Sequence, residues 1–140
     1  MHNKFTYSAR LLFAVLLFLF PLTGKAAQCF CLKSASPEHD FMFKMELPDE
    51  DRKKGTVQYK GGREQLNIVF KGSEELERHE GRPSYIKYTW NEVYKGKVTG
   101  VYVLCIQGAN IYDSWYARAR DHKMFKLERV LLEDECHGCF

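Results

Sequence analysis

Tyr85 to Cys105 reads YIKYTWNEVYKGKVTGVYVLC, and the expected fold follows from this stretch. Ile86, Tyr88 and Trp90 recur at every second position of the first arm. Val98, Tyr102, Leu104 and Ile106 do so along the second arm and just beyond it. A period of two is the mark of a strand, whose successive side chains point to opposite faces. Lys95-Gly96 stands between the arms where a two-residue hairpin loop belongs, and Gly96 tolerates the positive φ that such a turn needs. The second arm also carries Val101 and Val103 on its other face, which predicts a central strand covered on both sides. The chain is therefore expected to be all-β.

Weaker versions of the same signal lie on either side. Phe41, Phe43, Met45 and Leu47 alternate against Lys44 and Glu46. TVQYK and QLNIVFK flank Gly61-Gly62-Arg63-Glu64 as a second hairpin. IYDSWYARA reads as a strand with Tyr112 and Tyr116 on one face and Ile111 and Trp115 on the other, and MFKLE reads as another strand. Gly72 to Arg82 (GSEELERHEGR) is polar apart from Leu76 and reads as a loop ending before Pro83, after which the next strand starts. Residues 27 to 40 read as an extended segment clamped by disulfides. The total is five to seven short strands, with turn signals at the spacing of a small antiparallel barrel or sandwich.

The first 26 residues read as an export signal. Lys4 and Arg10 form a positive head, Leu11 to Phe20 is unbrokenly apolar, and Pro21, Gly24 and Ala26 follow. The run is shorter than the roughly 20 apolar residues of a membrane span, so no anchor is expected after cleavage. Residues 27–140 are the size of a single domain. The formal charge of the whole chain is +3, from 21 bases and 18 acids. Loss of Lys4, Arg10 and Lys25 leaves 18 bases against 18 acids, and removes the electrostatic basis for a nucleic-acid role.

All five cysteines, Cys29, Cys31, Cys105, Cys136 and Cys139, lie beyond the signal, and exported thiols usually pair. An odd number leaves one free, or bridging to another molecule, or holding a ligand. Cys29-Phe30-Cys31 reads first as a staple tying the N-terminal segment to the barrel, with Cys105, Cys136 and Cys139 as the available partners. One bridge contributes roughly 2–4 kcal/mol to a small domain. Such tethering also pre-organises Cys29, Phe30, Cys31 and Leu32 as a ridge for a protein partner, lowering the ordering cost of binding.

A chain that opens with C-x-C and continues through LNIVFKGSEE, YIKYTWNEVYKG and VTGVYVLC resembles the tissue inhibitors of metalloproteinases and their netrin-like relatives. The match covers Cys29 to Cys31 and about Leu66 to Cys105, with a continuation through IYDSWYARA and MFKLE. The resemblance implies an OB-like barrel with a disulfide-tethered N-terminal segment, and a protein partner of the metalloprotease kind. Three departures are visible: residues 32 to 62 intervene between the C-x-C and the first matching strand, Ile106 stands where the family has Gly, and Ala27 and Gln28 precede Cys29. The family's inhibitors chelate zinc through an N-terminal Cys, so fold transfers more safely than inhibition.

Cys136-His137-Gly138-Cys139 is a C-x-x-C, the spacing of redox pairs and metal sites. It supplies the alternative reading, a periplasmic or secreted thiol-disulfide protein. Cys29, Cys31, Cys136 and Cys139 together would make a four-thiolate site for zinc or copper(I). No helix start or βαβ pattern accompanies the motif, so bridges to Cys29 or Cys31 rank above both uses. His39, His79 and His122 fall in loops, and no nucleophile–base ordering, phosphate loop or opposed carboxylate pair is present. No catalytic residue, metal or cofactor is expected. Tyr85, Tyr94, Tyr112, Tyr116, Trp90 and Trp115 exceed what so small an interior holds, and predict an aromatic binding face or capped barrel ends. The sequence predicts a secreted or periplasmic, non-catalytic binding protein.

Overall fold

In the computed structural model, which describes residues 27–140, the hairpin anticipated from Tyr85 to Cys105 is two strands of one closed barrel. Eight strands follow in chain order: β1 (Gln28–Ser34), β2 (Met42–Leu47), β3 (Lys54–Tyr59), β4 (Gln65–Glu77), β5 (Tyr85–Tyr94), β6 (Lys97–Gln107), β7 (Asn110–Arg118) and β8 (Met124–Arg129). Each pairs antiparallel with the next, and β1 closes the ring by pairing with β8 through Leu32↔Arg129, Lys33↔Glu128 and Ser34↔Leu127. No helix occurs among the described residues. Residues 1–26, read as an export signal, lie outside them.

The count of eight corrects the expected five to seven. The connectivity differs too: an OB barrel is a five-stranded Greek key, whereas every neighbour here is also the next strand in sequence, an up-and-down barrel. The residues missing from the expected count have identifiable reasons. β1 lies in the stretch read as a clamped, non-barrel segment. The outer half of β4, Gly72 to Glu77, was expected to be loop, but it pairs with β5 through Ser73↔Tyr88, Glu74↔Lys87 and Glu75↔Ile86. It is mostly exposed and carries no alternation, and its register is supported by the Lys87–Glu74 ion pair across the strands.

At the β5–β6 turn, Lys95 (φ 48°) and Gly96 (φ 74°) both take positive φ, as a turn matched to the twist of the strands requires. Two bulges adjust the alternation read from sequence. Between Glu92 and Val93 the register slips, so Val98 pairs with outward-facing Val93 and is 49% exposed instead of joining Tyr102 and Leu104 inside. Between Cys105 and Ile106 a second slip pairs Ile106 with Ile111. Ile111 therefore packs against the core and Tyr112 turns out to solvent. One extra residue on one strand is enough to exchange faces.

The interior is packed by Phe30, Leu32, Phe43, Met45, Leu47, Val57, Ile68, Trp90 and Leu104, all essentially inaccessible. The end bearing the β2–β3 loop is closed. Trp90 Nε1 donates to the Arg52 carbonyl at 2.7 Å, and the Arg52 guanidinium lies 4.6 Å from the centre of the Tyr88 ring. Trp90 is thus core, not part of a surplus of exposed aromatics. The opposite end, where the β1–β2, β3–β4, β5–β6 and β7–β8 connections gather, stays open.

Candidate functional site

The open end holds a cavity of about 460 Å³ lined by His39, Asp40, Phe41, Tyr59, Glu92, Tyr116, Arg118, Arg120 and Phe125. Small eight-stranded barrels either fill this space with side chains or keep room for one small ligand. Glu92 is at its floor. It continues the inward positions 86, 88 and 90 of β5 and is only 3% exposed.

A buried carboxylate needs hydrogen-bond partners, and hydroxyls from β3, β6 and β7 surround it. Thr99 Oγ1 donates to Oε1 at 2.8 Å and Tyr116 OH at 3.1 Å; Tyr102 OH donates to Oε2, and Tyr59 OH lies 3.3 Å from it. Tyr59 and Tyr102 are themselves 2.6 Å apart. The Glu92–Val93 bulge adds Thr99 to β6 between Val98 and Gly100, and its hydroxyl reaches the carboxylate. Gly100 makes the room: a Cβ there would meet Tyr116 Cε2 at 2.2 Å.

Desolvation by burial pushes the Tyr59 and Tyr116 phenols well above their ordinary range, and the negative charge of Glu92 pushes them further. Tyr102 is raised by burial first, then by Tyr59 and Glu92. All three are held as neutral donors, so the cluster carries no activated phenolate. Above this floor, Phe41 and Phe125 meet edge-to-face at 5.3 Å, with Phe41 6.3 Å from Tyr59 and 6.4 Å from Tyr116. His39 meets Phe125 edge-on at 5.2 Å and bonds Lys123 Nζ at 2.6 Å. At the rim, Arg118 forms two bonds to Asp121, at 3.0 and 2.6 Å.

The residues expected to form a partner-binding ridge lie elsewhere. Phe30 (1% exposed) and Leu32 (0%) are interior side chains of β1, and Cys29 (8%) and Cys31 (0%) face outward beneath the C-terminal tail. The segment is a stave of the barrel, and none of its four side chains is displayed. The staple itself is present. Cys29 pairs with Cys136 and Cys31 with Cys139, with Cα separations of 5.2 and 5.6 Å. Cys105, offered as a further bridge partner, is the unpaired cysteine, buried on β6.

The Cys136–Cys139 motif does not close on itself. Each sulfur is bonded to a different β1 cysteine, which leaves neither a redox pair nor four thiolates for a metal. Two such bonds fit an oxidising compartment. Glu135 completes the clamp. Its carboxylate takes the Arg129 guanidinium at 2.5 Å and the Cys31 N–H at 2.9 Å, while Arg129 lies 5.2 Å from the centre of the Phe30 ring.

Of the aromatics expected at a surface, Tyr116 forms part of the mouth, whereas Tyr94 and Tyr112 are exposed on the outside. Glu92, Tyr59, Tyr102 and Thr99 are the site residues that the sequence reading misses. The signal for Glu92 is its place in the alternation: a charge at the fourth inward position of an otherwise apolar face. Comparison with known proteins finds no matching family model, no matching curated protein and no matching solved structure.

Proposed function

We propose that this chain is an exported, non-catalytic binding protein whose barrel mouth takes one small amphipathic molecule. The observation that carries the reading is a buried carboxylate ringed by hydroxyls at the bottom of a 460 Å³ aromatic cavity open to solvent. Ligand sites are typically concave, mostly apolar, and furnished with a few convergent polar groups, and cavities of about 300–1,000 Å³ are usual. The disulfides support the same reading from outside the barrel. They tie the C-terminal tail to β1 and stiffen the barrel wall, which lowers the ordering cost that falls on binding. Neutral, hydrogen-bonded phenols suit recognition better than acid–base chemistry. The binding role expected from the sequence is kept, and its place moves from the N-terminal strand to the mouth.

The test is a small-molecule screen against the purified protein, followed by chemical-shift mapping. Binders are expected to move the resonances of Phe41, Tyr59, Tyr116 and Phe125 together. Binders that leave all four unmoved, or a screen without binders, would overturn the proposal.

A further inference from the structure

The proton count at the floor of the mouth names the head group that fits it; this step rests on reading the mouth as a ligand site. Each hydroxyl around Glu92 has one proton to give. Thr99 and Tyr116 give theirs to Oε1, and Tyr102 gives its proton to Oε2. With the Tyr102 proton so placed, the 2.6 Å contact between Tyr59 and Tyr102 is donated by Tyr59. No hydroxyl proton remains for a ligand. Tyr59, Tyr116 and Glu92 line the cavity, so the floor offers a ligand oxygen lone pairs and one negative charge. Among the described residues no Lys, Arg or His forms a hydrogen bond or ion pair with Glu92.

The walls favour the same kind of ligand. Ring faces attract cations, and Phe125 already has the Arg118 guanidinium at 5.2 Å and Lys123 Nζ at 5.6 Å. The rim carries both signs, with Lys123 bonded to His39. Arg118 is neutralised by Asp121, and Asp40 stands among the lining residues with Arg120. His39 accepts from Lys123 at Nε2, since an ammonium can only donate, and so is uncharged in this contact.

We infer that the mouth binds a small organic cation, an alkyl- or arylammonium. Its N–H groups reach Glu92, Tyr59 and Tyr116, and its apolar body lies against Phe41 and Phe125. At the floor, an anionic or carbonyl head would meet acceptors only.

Three probes with one phenyl body separate the possibilities at pH 7 and moderate salt: 2-phenylethylammonium, 2-phenylethanol and 3-phenylpropanoate. Calorimetry gives the affinities and chemical-shift mapping gives the site. The ammonium is expected to bind at least tenfold tighter than the alcohol, and the carboxylate not to bind. Glu92→Gln, with its fold checked by thermal melt, should erase that preference by weakening the ammonium far more than the alcohol. Equal or tighter binding of the alcohol or carboxylate at the mouth would overturn the cation assignment while leaving a ligand site there. Failure of all three to perturb Phe41 and Phe125 would overturn both. The charge series is read on the unaltered protein, so it decides the matter even if Glu92→Gln does not fold.

Discussion

Gly100 lies directly beneath the Tyr116 ring, so closely that a Cβ on β6 would stand 2.4 Å from the phenolic oxygen. That oxygen donates to Glu92 at 3.1 Å. The absence of a side chain on one strand thus sets the position of a donor on the next. Gly100→Ala should push the ring toward the mouth, break the Tyr116–Glu92 bond and narrow the cavity. Overpacking of a filled interior costs about 1–3 kcal/mol. Urea denaturation should show a loss of that size, with the largest native-state shifts at Tyr116 and Phe41. An unchanged midpoint and an unmoved Tyr116 resonance would contradict the packing described.

The same cluster predicts how stability responds to alkali. Tyr59, Tyr102 and Tyr116 have folded-state pKa values raised above the ordinary 10.0 of a phenol, chiefly by burial. A raised pKa means the folded state holds its proton more tightly than the unfolded chain does. The stabilisation is full below pH 10 and declines as the pH rises beyond it. Each phenol contributes a slope of about 1.4 kcal/mol per pH unit between its unfolded and folded values. Absorbance at 295 nm should show these three ionising together with loss of the native circular dichroism. Three phenols that ionise near pH 10 in a still-folded barrel would refute the cluster.

At the rim the sign is reversed. The paired Arg118 guanidinium holds Asp121 down at about 2, against an ordinary 3.8. A depressed carboxylate supports the folded state above its unfolded pKa, and that support fades as the pH falls from about 3.8 toward 2. Carboxyl-carbon NMR should place the Asp121 midpoint near 2 in the folded protein, and Arg118→Ala should return it toward its ordinary value. A midpoint near 3.8 in the unaltered protein would mean the Arg118–Asp121 pair does not persist in solution.

Cys105 offers a check on the covalent framework. Its thiol is buried on the outer face of β6, and desolvation raises its pKa, an effect opposed by the Tyr85 hydrogen bond and by Lys87. Iodoacetamide should leave the native protein unmodified and add one carbamidomethyl group per chain once it is unfolded without reductant. Two or more additions under those conditions would show that one of the disulfides is absent.

How far the fold could be read depended on whether one residue's environment is announced by its neighbours. β5 and β6 are legible because inward apolar residues repeat at every second place and Lys95-Gly96 marks the turn. The two bulges are not, since a slip is a property of paired strands, and Val98 and Tyr112 are therefore assigned to the wrong faces by simple alternation. The outer half of β4 is solvated on both sides and has no pattern to detect. C-x-C and C-x-x-C announce bridges without saying which sulfur meets which. Glu92 was in plain view at the inward position after Trp90. Its meaning depended on Tyr59, Thr99, Tyr102 and Tyr116 arriving from three other strands, which no local pattern encodes.

β1 is where the sequence and the structure lead to opposite experiments. A presented ridge could be cut away before Leu32 with the barrel left intact. As a stave, β1 supplies Phe30 to the interior, closes the ring against β8 and anchors both disulfides, whose sequence separations are 107 and 108 residues. Its removal leaves β2 and β8 with unpaired edges and opens the core to water, so the truncated chain should fail to fold. Cutting the disulfides alone is a milder change. Reduction frees the C-terminal tail, but Glu135 still bonds Arg129 and the Cys31 N–H. Cross-links that close loops this long contribute about 2–5 kcal/mol, mainly by restricting the unfolded chain. The reduced protein should keep its strand circular dichroism and melt at a lower temperature, and Glu135→Ala should lower the melt further by removing the carboxylate from the Arg129 guanidinium and the Cys31 N–H. A truncated chain that retains the native spectrum would show that β1 is not needed to close the barrel.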